Sequence, residues 1–408
     1  MTGRSQLGVA ETPAAEREAV EAPDSRTTAW RDSAIAWLRL LAGPIAVYLA
    51  SRLVVVGAAA VAGWYEKKLT LTTALTGWDS SWYLDIARNG YPPTVAAEGP
   101  GNRWAFFPAL PEVVRWVQRA TGMSFEHAGI AVAFVFGLTA AIAVWFAVRS
   151  VFDSRIADRT VAMVCFFPTA YTFSMVYTEG LFLTTAALCL YFLHTRRWLL
   201  AGAAACVAGL TRNVGVVLVL AVLVVGAQAV LRRRDLRALG AMAIAPLGVI
   251  GWVLFQWHRT GSPVSFLRAQ AAWDQQWTWF TSPFQALWRV LTAPHGWSNA
   301  GDVLGAAAVV FLLVTIGMLV HLQVRGRGIP VAWWIYTIGG ALAALSPFWP
   351  SSVPRYVMVV FPLLAVVALR LPRRYDGALL GGMAVLQGAL ATVAFVSIIT
   401  WQTAPFAP

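Results

Sequence analysis

Apolar residues run along this chain in blocks long enough to cross a bilayer, and polar residues are confined to the intervals between them. A membrane-crossing helix needs about 20 apolar residues. The runs 36–63, 127–148, 160–176, 180–195, 198–211, 213–231, 238–257, 303–324, 330–346, 354–369 and 377–399 predict about eleven transmembrane helices, an all-α polytopic membrane protein. Several runs are short. The pairs 160–176 with 180–195 and 198–211 with 213–231 read as hairpins whose tips reach part way or are broken by polar residues. Such backbone is tolerated at membrane depth where protein or a wet cavity surrounds it. Residues 1–30 are polar, rich in Pro, Ala and Glu, and lack an apolar period, which predicts a disordered cytoplasmic tail. No apolar core follows the first residues, so the first span is expected to serve as its own insertion signal. Residues 31–400 form the transmembrane domain, with outer loops 64–126 and 258–302, and 401–408 a short outer tail.

One polar interval breaks the pattern. Gly77 to Pro92 packs two carboxylates, an arginine and four aromatics into a few turns. Ser80 to Asn89 suits a short amphipathic helix with Trp82, Tyr83 and Ile86 on its apolar side. Asp79 or Ser80 is placed to cap it, and Tyr91-Pro92-Pro93 to end it. An aromatic amphipathic helix beside a span should lie flat in the interface. That would hold Asp79 where lipid meets water.

Composition agrees with the pattern. The chain is 58% hydrophobic and 12% charged, against about 25% charged in a soluble domain. Its net charge of +12 would suggest a nucleic-acid partner in a soluble protein. Here the charge is topological. With the N-terminus inside, Arg31, Arg39, Arg149, Arg155, Arg159, Arg196, Arg197, Arg232, Arg233, Arg234, Arg237, Arg325, Arg327, Arg370, Arg373 and Arg374 all fall on the cytoplasmic side. The short outer loops hold only Arg212 and Arg355; the long loop 64–126 follows the rule weakly. Nucleic acid is therefore not a partner. Cys165, Cys189 and Cys206 lie in apolar runs and read as core residues. The five histidines have no ligand spacing, so no metal site is argued, and there is no Walker, G-x-S-x-G or H-E-x-x-H motif.

Charges within or at the rim of spans are costly and point to function. Asp79, bracketed by Gly77-Trp78 and Ser80-Ser81, reads as functional. Asp85 reads as a helix pair with Arg88 at i, i+3. Glu179, in Tyr177-Thr178-Glu179-Gly180, is either a solvated turn residue or points into something polar. Arg212 and Arg355, flanked by Thr211 and Tyr356, either snorkel to outer head groups or bind phosphate bidentately. Arg52 lies mid-span and should pair with an acid or a lipid phosphate. Phe106-Phe107-Pro108 and Phe166-Phe167-Pro168 read as structural turns. Most of the 20 tryptophans suit an interfacial belt; Trp273-Asp274-Gln275-Gln276-Trp277 suits either that belt or a stack on a sugar ring.

Taken in order, several pieces of the chain resemble the PIG-V-like (GPI mannosyltransferase 2-like) family of GT-C glycosyltransferases. They are Trp78-Asp79-Ser80 with Tyr83 to Tyr91, Phe106-Phe107-Pro108, Phe167-Pro168-Thr169-Ala170 with Phe173-Ser174 and Tyr177-Thr178-Glu179, Leu210-Thr211-Arg212, and Pro354-Arg355-Tyr356 with Phe361-Pro362-Leu363. The likeness covers roughly residues 45–370. It implies a GT-C-like helical bundle with amphipathic helices in the first outer loop. It also implies a polyprenyl-phosphate sugar donor, typically mannose, used at the non-cytoplasmic face, and a first-loop acid acting as general base, here Asp79. The acceptor would be a glycolipid or a protein hydroxyl. The family's Asp-x-Asp pair is absent, because Ser81 stands two residues after Asp79, which leaves a divalent metal open. Trp78, Asp85, Arg88, Tyr91, Tyr177, Glu179, Tyr356 and Arg52 are the expected supporting residues, with Arg212 and Arg355 on the donor phosphate.

Three other readings stand beside this one: a lipid or solute transporter without catalysis, which accounts for Arg52 and the polar tips but not for the two outer loops or the placed carboxylate; a protein O-mannosyltransferase, which shares every motif; and a non-catalytic subunit of a glycosylation complex, which requires an inert Asp79.

Overall fold

A computed structural model describes residues 25–95, 102–272, 281–292, 300–346 and 350–399, with side chains from residue 39 onward except that of Ala272. Residues up to Ala42 cluster as one unit, helical from Ser25; the unit from Gly43 onward holds everything that follows. Of the tail expected to be disordered over 1–30, residues 25–30 are instead helical, as the start of Ser25–Tyr65, whereas residues 1–24, the tail 401–408 and the Trp273–Trp277 cluster lie outside the described residues. Every described regular element is a helix. Six are long and apolar enough to cross a bilayer alone: Arg39–Tyr65, Phe125–Val151, Gly215–Arg233, Arg237–Thr260, Ala300–Val324 and Arg373–Ile399. Pro350–Val359 and Phe361–Arg370 make a further span bent by 72°. Glu179–His194, Trp198–Gly209 and Val331–Leu345 are apolar but shorter. Against the eleven spans expected, six or seven among the described residues are long and apolar enough to cross a bilayer, and three more apolar helices are shorter.

The shortfall at 160–176 has a local cause. The Ser154–Cys165 helix stops before Phe166-Phe167-Pro168, and a 3-10 turn, Ala170–Phe173, follows. Proline lacks the N–H that would continue the helix. The irregular stretch lies almost wholly buried, so its carbonyls need internal donors. Arg52 supplies them. Its Nη1 donates to Ala170 O at 2.9 Å and Ser174 Oγ at 2.8 Å, and its Nη2 to Cys165 O at 3.3 Å. Gln387 Nε2 also donates to Cys165 O, at 3.0 Å. Arg52 thus has carbonyls and a hydroxyl as partners rather than the acid or lipid phosphate expected of a mid-span charge. Its guanidinium is further held over the Tyr48 ring, 4.9 Å from the centroid.

The loop after the first span also differs from its sequence reading. The helix runs Asp79–Asn89, with Trp78 rather than Asp79 or Ser80 as its N-cap, and Gly90 at φ 71° ends it before Tyr91 and Pro92. Its apolar face, including Tyr83, Leu84, Ile86 and Ala87, is buried against Leu110, Val114, Val176 and Leu181. It is therefore packed in protein, because a second helix, Ala109–Thr121, lies beside it. That second helix turns Trp116 outward, 67% exposed, and is the one with an aromatic left for the interface. Arg115 joins the two helices. Its Nε and Nη2 donate to Ala87 O and Ile86 O, both at 2.9 Å, and so cap carbonyls of the last turn of Asp79–Asn89.

Candidate active site

Four charged groups meet where helices begin or break. Asp79 and Glu179 are each the first residue of a helix. Free backbone N–H groups there favour a carboxylate. Arg212 lies in the turn between Trp198–Gly209 and Gly215–Arg233, and Arg355 in the short Val353–Val359 helix. Only the fold brings them together: Asp79 and Arg355 are 276 residues apart in sequence.

Arg355 bridges the two acids. Its Nη1 donates to Asp79 Oδ2 at 2.9 Å, and its Nε lies 3.3 Å from Glu179 Oε1. Arg212 Nη1 donates to the same Glu179 Oε1 at 2.6 Å and to Thr178 Oγ1 at 3.2 Å. Tyr356 lies under both guanidiniums, 4.7 Å from that of Arg212 and 5.4 Å from that of Arg355; Tyr177 stacks on Arg355 at 5.2 Å. The Tyr177 hydroxyl also accepts from the Asp79 N–H at 3.3 Å. Thus Tyr177, Glu179, Arg212, Arg355 and Tyr356 all converge with Asp79, as a single site would need.

Burial separates the two carboxylates. The Glu179 side chain is 1% exposed and that of Asp79 34%. A buried charge must be paired, and Glu179 has two arginines for the purpose. That excludes the solvated-turn alternative. Both arginine side chains are 9% exposed, so neither snorkels to head groups. Two buried polar atoms here remain without a hydrogen-bond partner, Glu179 Oε2 and Arg355 Nε. Such orphans are costly, and both lie sealed within the charge cluster.

Trp78 sets the approach to Asp79. It adopts φ 54°, a left-handed conformation that costs a non-glycine residue about 1 kcal/mol or more. Its indole Nε1 donates to Ala394 O at 2.9 Å, pinning it to the last span.

The remaining expected residues are engaged elsewhere. Asp85 accepts from Arg103 Nε and from Asn89 Nδ2, whereas Arg88 pairs with Glu126, so the anticipated Asp85–Arg88 pair does not form. Residues 85 and 88 share a helix edge, but each side chain reaches a partner on another element. Tyr91 donates to Phe106 O at 2.8 Å and stacks on Trp104 at 4.8 Å, so it is a hub of the loop's aromatic core. Thr178 was not singled out from the sequence. Its signal was its place directly before Glu179 at a helix start. No three His, Cys, Asp or Glu side chains converge as a metal cage among the described residues.

Residues 111–257 match the family model of dolichyl-phosphate-mannose-protein mannosyltransferase, less than half of the chain. The match takes in Glu179 and Arg212 but stops short of Asp79 and Arg355. The oligosaccharyltransferase of Archaeoglobus fulgidus superposes on the chain in two crystal forms. The apo form has a TM-score of 0.50 at 13% identity, over 86% of this chain and 56% of that one. The form tethered with an acceptor peptide containing the NVT sequon has a TM-score of 0.51 at 14% identity, over 88% and 56%. The fold is a GT-C-like helical bundle. ArnT from Cupriavidus metallidurans, bound to undecaprenyl phosphate, is similar at a TM-score of 0.48 and 20% identity, over 86% of this chain and 71% of that one. This GT-C-like chain spans little more than half the length of the oligosaccharyltransferase. No curated protein matches it. It is an integral multi-pass membrane protein.

Proposed function

We propose that this protein is a PIG-V-like glycosyltransferase that moves a sugar, mannose on the family likeness, from a polyprenyl phosphate to an acceptor hydroxyl at the non-cytoplasmic face. The observation that carries the reading is the half-exposed Asp79 tied through Arg355 to a buried Glu179–Arg212 pair. Such an arrangement offers a base beside two cations, which is what transfer from a phosphodiester needs. The match of residues 111–257 to a dolichyl-phosphate-mannose-dependent family supports the donor class.

Chemically, the acceptor oxygen attacks the anomeric carbon and its proton passes to the Asp79 carboxylate. The bond from the anomeric carbon to the phosphate oxygen breaks on the opposite face, and its electron pair leaves with the polyprenyl phosphate. Arg355 and Arg212 neutralise the negative charge that grows there. Bond making and breaking on opposite faces inverts the anomeric configuration. Glycolipid and protein acceptors meet the same chemistry.

The test is incubation of the purified protein in lipid with radiolabelled polyprenyl-phosphate mannose and a membrane extract. Label in a lipid or protein fraction, lost in Asp79→Asn, is the expected result and names the acceptor class. Substrate counterflow in vesicles with no glycosidic product would replace this reading with transport.

A further inference from the structure

Arg355 is claimed by two acids of opposite character. Its Nε side faces Glu179, which is buried and held by Arg212 as well, so that edge is closed to an incoming ligand. Its terminal Nη1 faces Asp79, whose side chain is 34% exposed. Nη1, the nitrogen on the side of the partly exposed acid, is thus already occupied by Asp79. Equally, one of the two Asp79 carboxylate oxygens, Oδ2, is already engaged by Arg355 and is not open to an acceptor hydroxyl.

The geometry points to an exchange latch, an inference that rests on the glycosyltransferase reading: the donor phosphate displaces Asp79 from Arg355 and so frees Oδ2 to receive the acceptor hydroxyl. Glu179 is the fixed side of the device. It cannot leave, because separating it from Arg212 and Arg355 would strand a buried charge. Asp79 can leave, because its exposed carboxylate is resolvated by water or taken up by the acceptor. The charge count favours this order. Asp79, Glu179, Arg212 and Arg355 sum to zero in the free protein, and the arriving phosphodiester replaces one carboxylate on Arg355 by another anion. The cation is therefore never left bare, and Oδ2 stays engaged until a donor arrives. The exchange favours binding of donor before acceptor.

The latch makes a prediction that simple charge repulsion does not. If Asp79 competes with phosphate for Arg355, removing its charge should tighten donor binding only while Arg355 is present. The experiment is a double-mutant cycle on undecaprenyl phosphate binding to the full-length protein in lipid nanodiscs. Asp79→Asn is expected to raise affinity about five- to tenfold, the strength of a partly exposed charge-assisted contact. In an Arg355→Gln background the same substitution is expected to change affinity less than twofold. A gain that persists or grows in that background would mean that Asp79 only repels the phosphate at a distance, and the latch would be wrong. No gain in either background would also overturn it. Arg355→Lys is the second variant should Arg355→Gln fold poorly; a point charge without the planar fork should retain a smaller gain. Failure of the wild-type protein to bind undecaprenyl phosphate at all would instead count against the proposed donor class.

Discussion

Arg212 Nη1 donates to Glu179 Oε1 at 2.6 Å, and this contact sits in a site where both side chains are withdrawn from solvent. Two buried charges of opposite sign are neutral together and expensive apart. Arg212→Ala should therefore cost about 3–5 kcal/mol of stability, read as a fall in the thermal unfolding midpoint in detergent. Glu179→Gln combined with Arg212→Gln should cost less than the sum of the single changes. Additive losses would mean that the pair is not energetically linked.

Asp79 tolerates replacement better, being partly exposed. Asp79→Asn should leave stability within about 1 kcal/mol of wild type and lower the rate of sugar transfer by about 10²–10⁴-fold. Radiolabel transfer at saturating donor measures it. Transfer at the wild-type rate would remove Asp79 from the base role.

Gly180 follows Glu179 directly. A Cβ at that position would lie 2.9 Å from the Gly137 amide nitrogen and 3.1 Å from the Phe136 carbonyl carbon, both backbone atoms that cannot swing aside. Gly180→Ala must push the Phe125–Val151 and Glu179–His194 helices apart beside the site. It should destabilise by about 1–3 kcal/mol and also lower transfer in the protein that remains folded, as measured on a size-exclusion peak. Activity per folded molecule equal to wild type would show that the shift does not reach Glu179.

Arg52 makes the opposite case. It satisfies the Cys165 and Ala170 carbonyls of a broken helix. Arg52→Leu should lower stability by about 1–3 kcal/mol for the Ala170 carbonyl left unpaired, with the KM for donor unchanged. A rise in KM without loss of stability would return Arg52 to the substrate.

The two halves of the residue list explain how far the chain can be read before it folds. Asp79, Glu179, Arg212 and Arg355 stand out because each is a charge at a break between apolar runs, and a charge in that position is expensive unless used. Their local settings, a helix start or a turn, follow from the same pattern. Asp85 and Arg88 show the limit. Their i, i+3 spacing satisfies a helix rule, yet the folded loop offers Arg103 to one and Glu126 to the other.

The sequence by itself determined the all-helical membrane architecture, the turn at Phe166-Phe167-Pro168 and the candidate charges, since hydropathy and missing N–H groups are properties of a few neighbouring residues. Tertiary structure alone decided that Arg355 reaches Asp79 across 276 residues, that Glu179 is sealed and Asp79 open, and that Arg52 serves carbonyls. Partner choice among charges depends on which helix ends the packing brings within about 4 Å, where Coulomb attraction in a low dielectric becomes large, and no local pattern encodes that distance.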